Sequence, residues 1–146
     1  MFSQDGKCLA CVQKNRPAWQ DGLFNGIGGK IEPGEEALDA MIREFKEETG
    51  VTFRDWLPFV HLAAERDRDT GEEQSYEIFF YKAFTDKVFD CITMTDEKIL
   101  VNFVSEIPYR PTEYVRNLKW LVPMALDPYV NGPGGGFIEL RDLGGN

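Results

Sequence analysis

Glu44, Glu47 and Glu48 fall close together in residues 35–49, a segment that reads as a helix ending at Gly50. On an ideal helix each residue advances about 100°, so the three carboxylates share one face, centred on Glu44. Arg43 stands beside them, and Glu35 precedes it near the helix start. Like charges at this spacing repel, costing a helix roughly 0.2–0.5 kcal/mol per pair. A helix serving stability alone would intersperse lysines, and the one nearby, Lys46, lies on another face. The ordinary interpretation is a solvated acidic face tied by Arg43–Glu47 at i, i+4. The chemical alternative is a site for a hard cation. Mg²⁺ takes oxygen ligands, keeps several waters, and uses one or two carboxylates together with substrate phosphates. Clustered carboxylates without cysteine or histidine suit that class better than zinc.

The surrounding elements decide whether such a face can work. Leu38, Met41, Ile42 and Phe45 form an apolar stripe roughly 110° from the carboxylates by the same helical arithmetic, so the helix can pack on a sheet while presenting its acids sideways. Gly28-Gly29 precede the helix by one short extended segment, "KIEPGE", with a turn at Pro33-Gly34. Glycine lets backbone approach a ligand closely. Glu35 lies on a different face from the three glutamates and could hold Arg43, fixing the helix orientation.

Strands are expected at "KCLACVQKN", "WLPFVHLAAE", "SYEIFFYKAF" and within "DEKILVNFVSEIP", and a second helix over "TEYVRNLKWLVPMAL". In that helix Tyr114, Val115, Leu118, Leu121 and Val122 fall at helical spacing, and Pro123 should end or kink it. "RPAWQDGLFNG" and "RDRDTGEEQ" read as loops, and residues 128–146 as a flexible glycine-containing tail. The first clear strand begins close to the start and lacks a preceding partner. Either Met1-Phe2 is the stub of one, or the chain begins partway through an element.

A length of 146 residues suits a single domain, residues 1–146, with one core. The net charge of −9 argues against a sequence-independent grip on DNA or RNA. It still allows small phosphorylated ligands, with divalent cations between carboxylate and phosphate. No apolar run approaches a membrane span, and the N-terminus lacks the pattern of a signal peptide, so a cytoplasmic location is expected. Cys8, Cys11 and Cys91 are expected as reduced thiols. Cys8 and Cys11 should point to opposite faces of one strand, which favours packing over a metal or redox role.

Written out, the acidic segment is Gly29, five residues, Glu35, seven residues, then Arg43-Glu44-Phe45-Lys46-Glu47-Glu48-Thr49-Gly50-Val51. It resembles the Nudix box, G-x5-E-x7-R-E-U-x-E-E-x-G-U, over residues 29–51. Every fixed position matches, with Phe45 larger than the aliphatic residue usual at its place. The resemblance implies an α/β fold, an α/β/α sandwich with a mixed β-sheet. It implies hydrolysis of a nucleoside diphosphate linked to another group, water attacking phosphorus and a phosphoanhydride breaking. By position, Glu44, Glu47 and Glu48 with the Gly29 carbonyl would bind Mg²⁺, or Mn²⁺ in its place. Glu44 or Glu47 is the favoured general base within the box and Glu97 outside it; Arg43 belongs to the catalytic group and Glu35 supports it from behind. A homodimer is compatible with the family.

The flanks "FNGIGGK" and "IPYRPTEYVRNLKWLVPMAL" resemble segments of Nudix enzymes that remove oxidised purine nucleoside triphosphates. That resemblance makes Asn25, Lys30 and Asn117 substrate-binding candidates. Asn25 would contact the base. Aligned on Pro123, Asn117 takes the place of a base-reading acid, and there an amide offers donor and acceptor where a carboxylate only accepts. Trp19, Phe24 and Trp120 could stack on a base or pack in the core. The expected function is therefore Mg²⁺-dependent hydrolysis of a nucleoside triphosphate, such as 8-oxo-dGTP, to monophosphate and pyrophosphate. Two rivals stay open: a hydrolase of ADP-ribose or another nucleoside diphosphate derivative, and a non-catalytic nucleotide-binding module. "DRDTG" at 67–71 is a poor calcium loop, and "GPGGG" at 132–136 is no phosphate-binding loop.

Overall fold

A computed structural model describes residues 1–64, 76–130 and 138–142. Its strands are β1 (Cys8–Gln13), β2 (Phe24–Asn25), β3 (Leu57–Ala64), β4 (Tyr76–Lys82), β5 (Lys98–Phe103) and β6 (Ile138–Asp142), and its helices α1 (Ala37–Thr49) and α2 (Leu118–Leu126). The strands form two three-stranded sheets, one antiparallel in the order β2-β1-β5 and one mixed in the order β4-β3-β6, with β6 parallel to β3.

The N-terminal residues stitch these sheets together. Phe2 bridges Leu9 on one side and Phe84, just past β4, on the other. Its N–H donates to the Ala83 carbonyl at 2.8 Å, and its own carbonyl accepts from Thr85 N–H at 2.9 Å. Phe2 thus pairs with both sheets through isolated bridges.

Side-chain alternation along β1 assigns the two faces. Leu9 and Cys11 join the core cluster that holds Leu118, Leu121 and Val122 of α2. Ala10 joins the cluster that holds Phe45 of α1 and Trp56. The sheet therefore lies between two helical layers. Cys11 is fully buried, and burial pushes its thiol up to about 11. All three cysteines are free thiols.

Four expectations need correction. Helix α1 starts at Ala37, not at residue 35, so Asp39 alone is acidic in its first turn. Its buried residues are Ala40, Phe45 and Thr49, whereas Leu38 is 38 % exposed. Helix α2 is shorter than its apolar spacing suggests, because residues 113–115 are pulled into pairing with β2. Phe24 N–H donates to the Glu113 carbonyl at 2.8 Å, and Val115 N–H to the Phe24 carbonyl at 3.0 Å. The helix then runs through Pro123, and the Pro123 carbonyl accepts from Asp127 N–H at 3.0 Å. The tail contributes strand β6, and no alternation in "GGGFIELRD" announces it. The segments 67–71 and 132–136 lie outside the described residues.

Lys82, the last residue of β4, is only 5 % exposed. Its ammonium donates to the carbonyls of Ala125 at 2.9 Å and Val130 at 2.8 Å, and lies 5.8 Å from the Phe59 ring. Burial lowers its pKa, and the negative end of α2 together with Asp127 keeps the charge tolerable. Lys82→Met should leave both carbonyls without this donor and cost about 2–4 kcal/mol of stability. Urea unfolding reads this directly, and an unchanged midpoint would show that the lysine does not anchor α2 to the mixed sheet.

Candidate active site

Arg43 is the centre of the site. Its Nε donates to Glu35 Oε1 at 2.9 Å and its Nη2 to Glu35 Oε2 at 3.0 Å, a two-pronged grip. Nη1 donates to Glu44 Oε1 at 2.8 Å and reaches Glu47 Oε2 at 3.3 Å, while Nη2 also reaches the Lys30 carbonyl at 3.0 Å. The late start of α1 makes this possible. With Glu35 outside the helix, the turn at Pro33-Gly34 brings its carboxylate back to accept the Glu32 N–H at 2.9 Å and to face Arg43. The paired guanidinium holds the Glu35 carboxyl down to about 2.

Gly29 packs directly on Glu44. A Cβ built at Gly29 would run into the Glu44 carboxyl group, so a side chain here would push that carboxylate from its place against the backbone. At the other end of α1, Gly50 takes φ +74° and its N–H caps the Lys46 carbonyl.

Glu48 sits deeper than its neighbours. One of its carboxyl oxygens, Oε2, is buried with no hydrogen-bond partner. Burial raises its pKa to about 7; the charges of Glu44 and Glu97 add to this, and Lys14 and the Gly28 N–H oppose it.

Glu97 lies in the bend just before β5, as expected, but at 5 % exposure it belongs to the same cluster and is not a surface charge. Its Oε2 accepts from Lys14 Nζ at 2.5 Å and its Oε1 from Asn15 N–H at 2.9 Å. Burial alone would raise its pKa, but these two donors and the Arg16 charge outweigh that and hold it below the usual value. Arg16 and Asn15 both bond Asp96 as well, so the end of β1 is clasped to the approach to β5. Lys14 escaped the sequence reading, because nothing in "VQKN" shows that a residue far along the chain will pair with it.

Glu44, Glu48, Glu97, Lys14 and Gly29 therefore meet from three stretches of chain, with Arg43 and Glu35 behind them. Glu47 points differently: its side chain is 58 % exposed and turned toward Arg43. Among the described residues no three acidic, cysteine or histidine side chains already converge on a single point. The donor set nonetheless fits a hard cation. It is all oxygen, and the orphaned, buried Glu48 Oε2 lacks the positive partner that a divalent ion would supply.

A cavity of about 110 Å³ opens between Met41 and Phe45 of α1 and Leu118 and Leu121 of α2, with Asn25, Gly26 and Ile27 in its wall. Asn25 accepts the Gly26 N–H at 2.8 Å and donates to Gln20 Oε1 at 3.0 Å, so it caps a loop and faces the cavity at once. Asn117 is the residue before α2, its Oδ1 buried and without a hydrogen-bond partner, next to Leu118 of the cavity wall. The Lys30 side chain is exposed, and only its carbonyl joins the Arg43 network. Phe24 packs at a tilt against Tyr114, with ring centroids 5.3 Å apart, while Trp19 is 58 % exposed.

The Nudix domain model matches residues 1–126. The chain belongs to the Nudix family. Over 53 residues it is 42 % identical to CTP pyrophosphohydrolase of Escherichia coli K12, an alignment spanning 35 % of this chain and 37 % of that protein. Over 134 residues it is 25 % identical to nucleoside triphosphatase NudI of Escherichia fergusonii, covering 88 % of this chain and 82 % of that one. Its fold aligns with a solved structure from work on MutT of Aliivibrio salmonicida and Vibrio cholerae, with a TM-score of 0.57 and 20 % identity over 86 % of this chain and 90 % of that one. The α/β Nudix fold and the family resemblance read from residues 29–51 are thereby borne out. Among the described residues no helix is long and apolar enough to cross a membrane.

The raised Glu48 pKa has a consequence for stability. Between pH 4.5 and about 7 the folded chain holds a proton on Glu48 that the unfolded chain has lost. Stability of the metal-free protein therefore falls as pH rises through that window. Glu48→Gln should flatten the dependence and gain about 1–2 kcal/mol at pH 8, the full shift being screened by water that still reaches the side chain. Urea unfolding in chelator at pH 5 and pH 8 measures both, and equal wild-type stability at the two pH values would contradict the assignment.

Proposed function

We propose that this Nudix chain hydrolyses a nucleoside triphosphate to monophosphate and pyrophosphate with Mg²⁺, for which Mn²⁺ can substitute. One juxtaposition carries this reading: in the segment 25–29, Asn25, Gly26 and Ile27 line the apolar cavity and Gly29 packs on Glu44. A nucleotide laid along that segment puts its base in the apolar cavity and its phosphates against Glu44, Glu48 and Glu97. The relatives named for CTP and nucleoside triphosphates support a triphosphate substrate over ADP-ribose.

Within that class we assign a purine, with 8-oxo-dGTP as the first substrate to test. Asn25, in the cavity wall, would read one edge of the base, and Asn117, beside Leu118 of that wall with its Oδ1 unpartnered, is the candidate to accept from an exocyclic amine on another. A divalent ion held by Glu44, Glu47, Glu48 and the Gly29 carbonyl would neutralise the polyphosphate and polarise its P–O bonds. Arg43 sets the positions of Glu44 and Glu47. Glu97 is kept ionised by Lys14 and Asn15, so its carboxylate can accept the proton of the attacking water. Lys14, beside Glu48 and Glu97, offers a positive charge to the phosphates.

A panel of 8-oxo-dGTP, dGTP, CTP and ADP-ribose with Mg²⁺, scored for pyrophosphate against phosphate, tests the assignment. Pyrophosphate release, fastest from the modified purine, is expected; turnover of ADP-ribose alone would reject it. Glu47→Gln should abolish turnover while the fold is retained, and activity surviving that change unaltered would place the chemistry elsewhere. Arg43→Lys loses the two-pronged grip on Glu35 and should cost about 10–100-fold in kcat or metal affinity. Circular dichroism on the same samples separates that loss from unfolding.

A further inference from the structure

Strand β5 is the outer strand of its sheet, yet after Lys98 it reads Ile99-Leu100-Val101-Asn102-Phe103. Solvated edge strands are normally blunted by charge, proline or a bulge. A nearly continuous apolar run is the pattern of a strand covered on both faces. In β5 Ile99 is buried at 8 % exposure, but among the described residues Leu100, Val101 and Phe103 are left exposed. Leu100 lies opposite Cys11 on the α2 side and is 42 % exposed. Val101 and Phe103 lie opposite Ala10 and Cys8 on the α1 side and are 36 % and 59 % exposed.

The backbone is open as well. Val104 N–H donates to the Lys7 carbonyl at 2.9 Å, which fixes the phase of the ladder. Even-numbered residues of β5 bond to β1, and odd-numbered ones aim N–H and C=O away from it. Thr93 Oγ1 takes the Ile99 N–H at 2.9 Å. Among the described residues nothing takes the N–H and C=O of Val101 or the N–H of Phe103, while the Phe103 carbonyl caps the 3-10 turn that starts at Val104. Ile92 and Met94, on either side of Thr93, are 59 % and 56 % exposed and extend the apolar border of this edge.

We propose that this edge is the interface of a homodimer, in which β5 pairs antiparallel with β5 of a second copy and continues the sheet. The strand is complementary to itself. A two-fold axis at Asn102 sets Val101 of each copy opposite Phe103 of the other, and both are residues whose N–H points outward. Charge selects the same arrangement. The strand begins with Lys98 and the chain leaving it carries Glu106. Antiparallel pairing brings each Lys98 toward the acid-bearing end of the other strand, whereas parallel pairing would set lysine on lysine. The −9 net charge is not concentrated where the copies meet, because β5 has no acidic side chain.

Sedimentation equilibrium over a concentration series tests this, with hydrogen exchange on the same samples. The wild type should approach twice 16.7 kDa, with the Val101 and Phe103 amides exchanging more slowly as the dimer forms. Phe103→Lys and Val101→Lys should each return the mass to one chain, with an unchanged circular dichroism spectrum. A wild type that stays at one-chain mass throughout overturns the proposal. So does a dimer whose Val101 and Phe103 amides exchange as fast as in dilute protein, a readout that stands even if a variant fails to fold. A dimer broken by Met94→Lys but untouched by Phe103→Lys would overturn it too, by moving the contact off the strand edge.

Discussion

The guanidinium of Arg43 is the constraint on which the rest of the site depends. Glu35, Glu44 and Glu47 all point at it, and it also holds the Lys30 carbonyl. Without a delocalised cation at that point the acidic groups would repel one another and the backbone of residues 28–35 would have no reason to lie along α1. A lysine could neutralise the charge but could not reproduce the geometry. Only a planar fork bonds both oxygens of Glu35 while reaching a second carboxylate and a carbonyl. The helix, the turn before it and the glycine run are thereby held as one piece.

That piece becomes a site only where other chain segments meet it. Lys14 comes from the end of β1 and Glu97 from just before β5, and these two strands are antiparallel neighbours, so their facing ends arrive together. The clasp of Asn15 and Arg16 on Asp96 holds them there. The result is a graded set of carboxyls. Glu35 is held down by Arg43, Glu97 by Lys14 and Asn15, and Glu48 is pushed up by burial that Lys14 and the Gly28 N–H only partly offset. The acid with a buried oxygen left unbonded is the one whose environment most favours gaining a cation.

What the sequence made legible follows from how local each interaction is. Residues 29–51 could be read residue by residue, because Arg43 meets its partners within one helix and the turn before it, and fixed spacing encodes such contacts. Gly50 as a helix stop was legible for the same reason. Lys14, strand β6 and the cavity were not, since each depends on segments far apart in the chain. The apolar spacing of 114–122 misled in an instructive way. Tyr114 and Val115 are buried as the helical pattern requires, but pairing with Phe24 satisfies their backbone better than another helical turn would. Periodicity reports which side chains are buried, and the hydrogen-bonding alternatives decide the conformation.

The two sheets add a final constraint. Among the described residues the short stretch Met1–Ser3 bridges them directly, bonding to Cys8 and Ala10 on one side and to Ala83 and Thr85 on the other. Elsewhere the interior is filled by side chains from α1 and α2, and where those do not meet a cavity remains. Its walls therefore belong to both helical layers, while the acidic face belongs to α1 alone. Residues 25–29 are the element common to both, running from β2 past the cavity to the Glu44 carboxylate. Any change in the tilt of α1 would move the acids and the cavity wall together, because Phe45 faces one and its neighbour Glu44 the other. Binding at either place is thus coupled to the other through a single rigid helix and the glycine backbone packed on it.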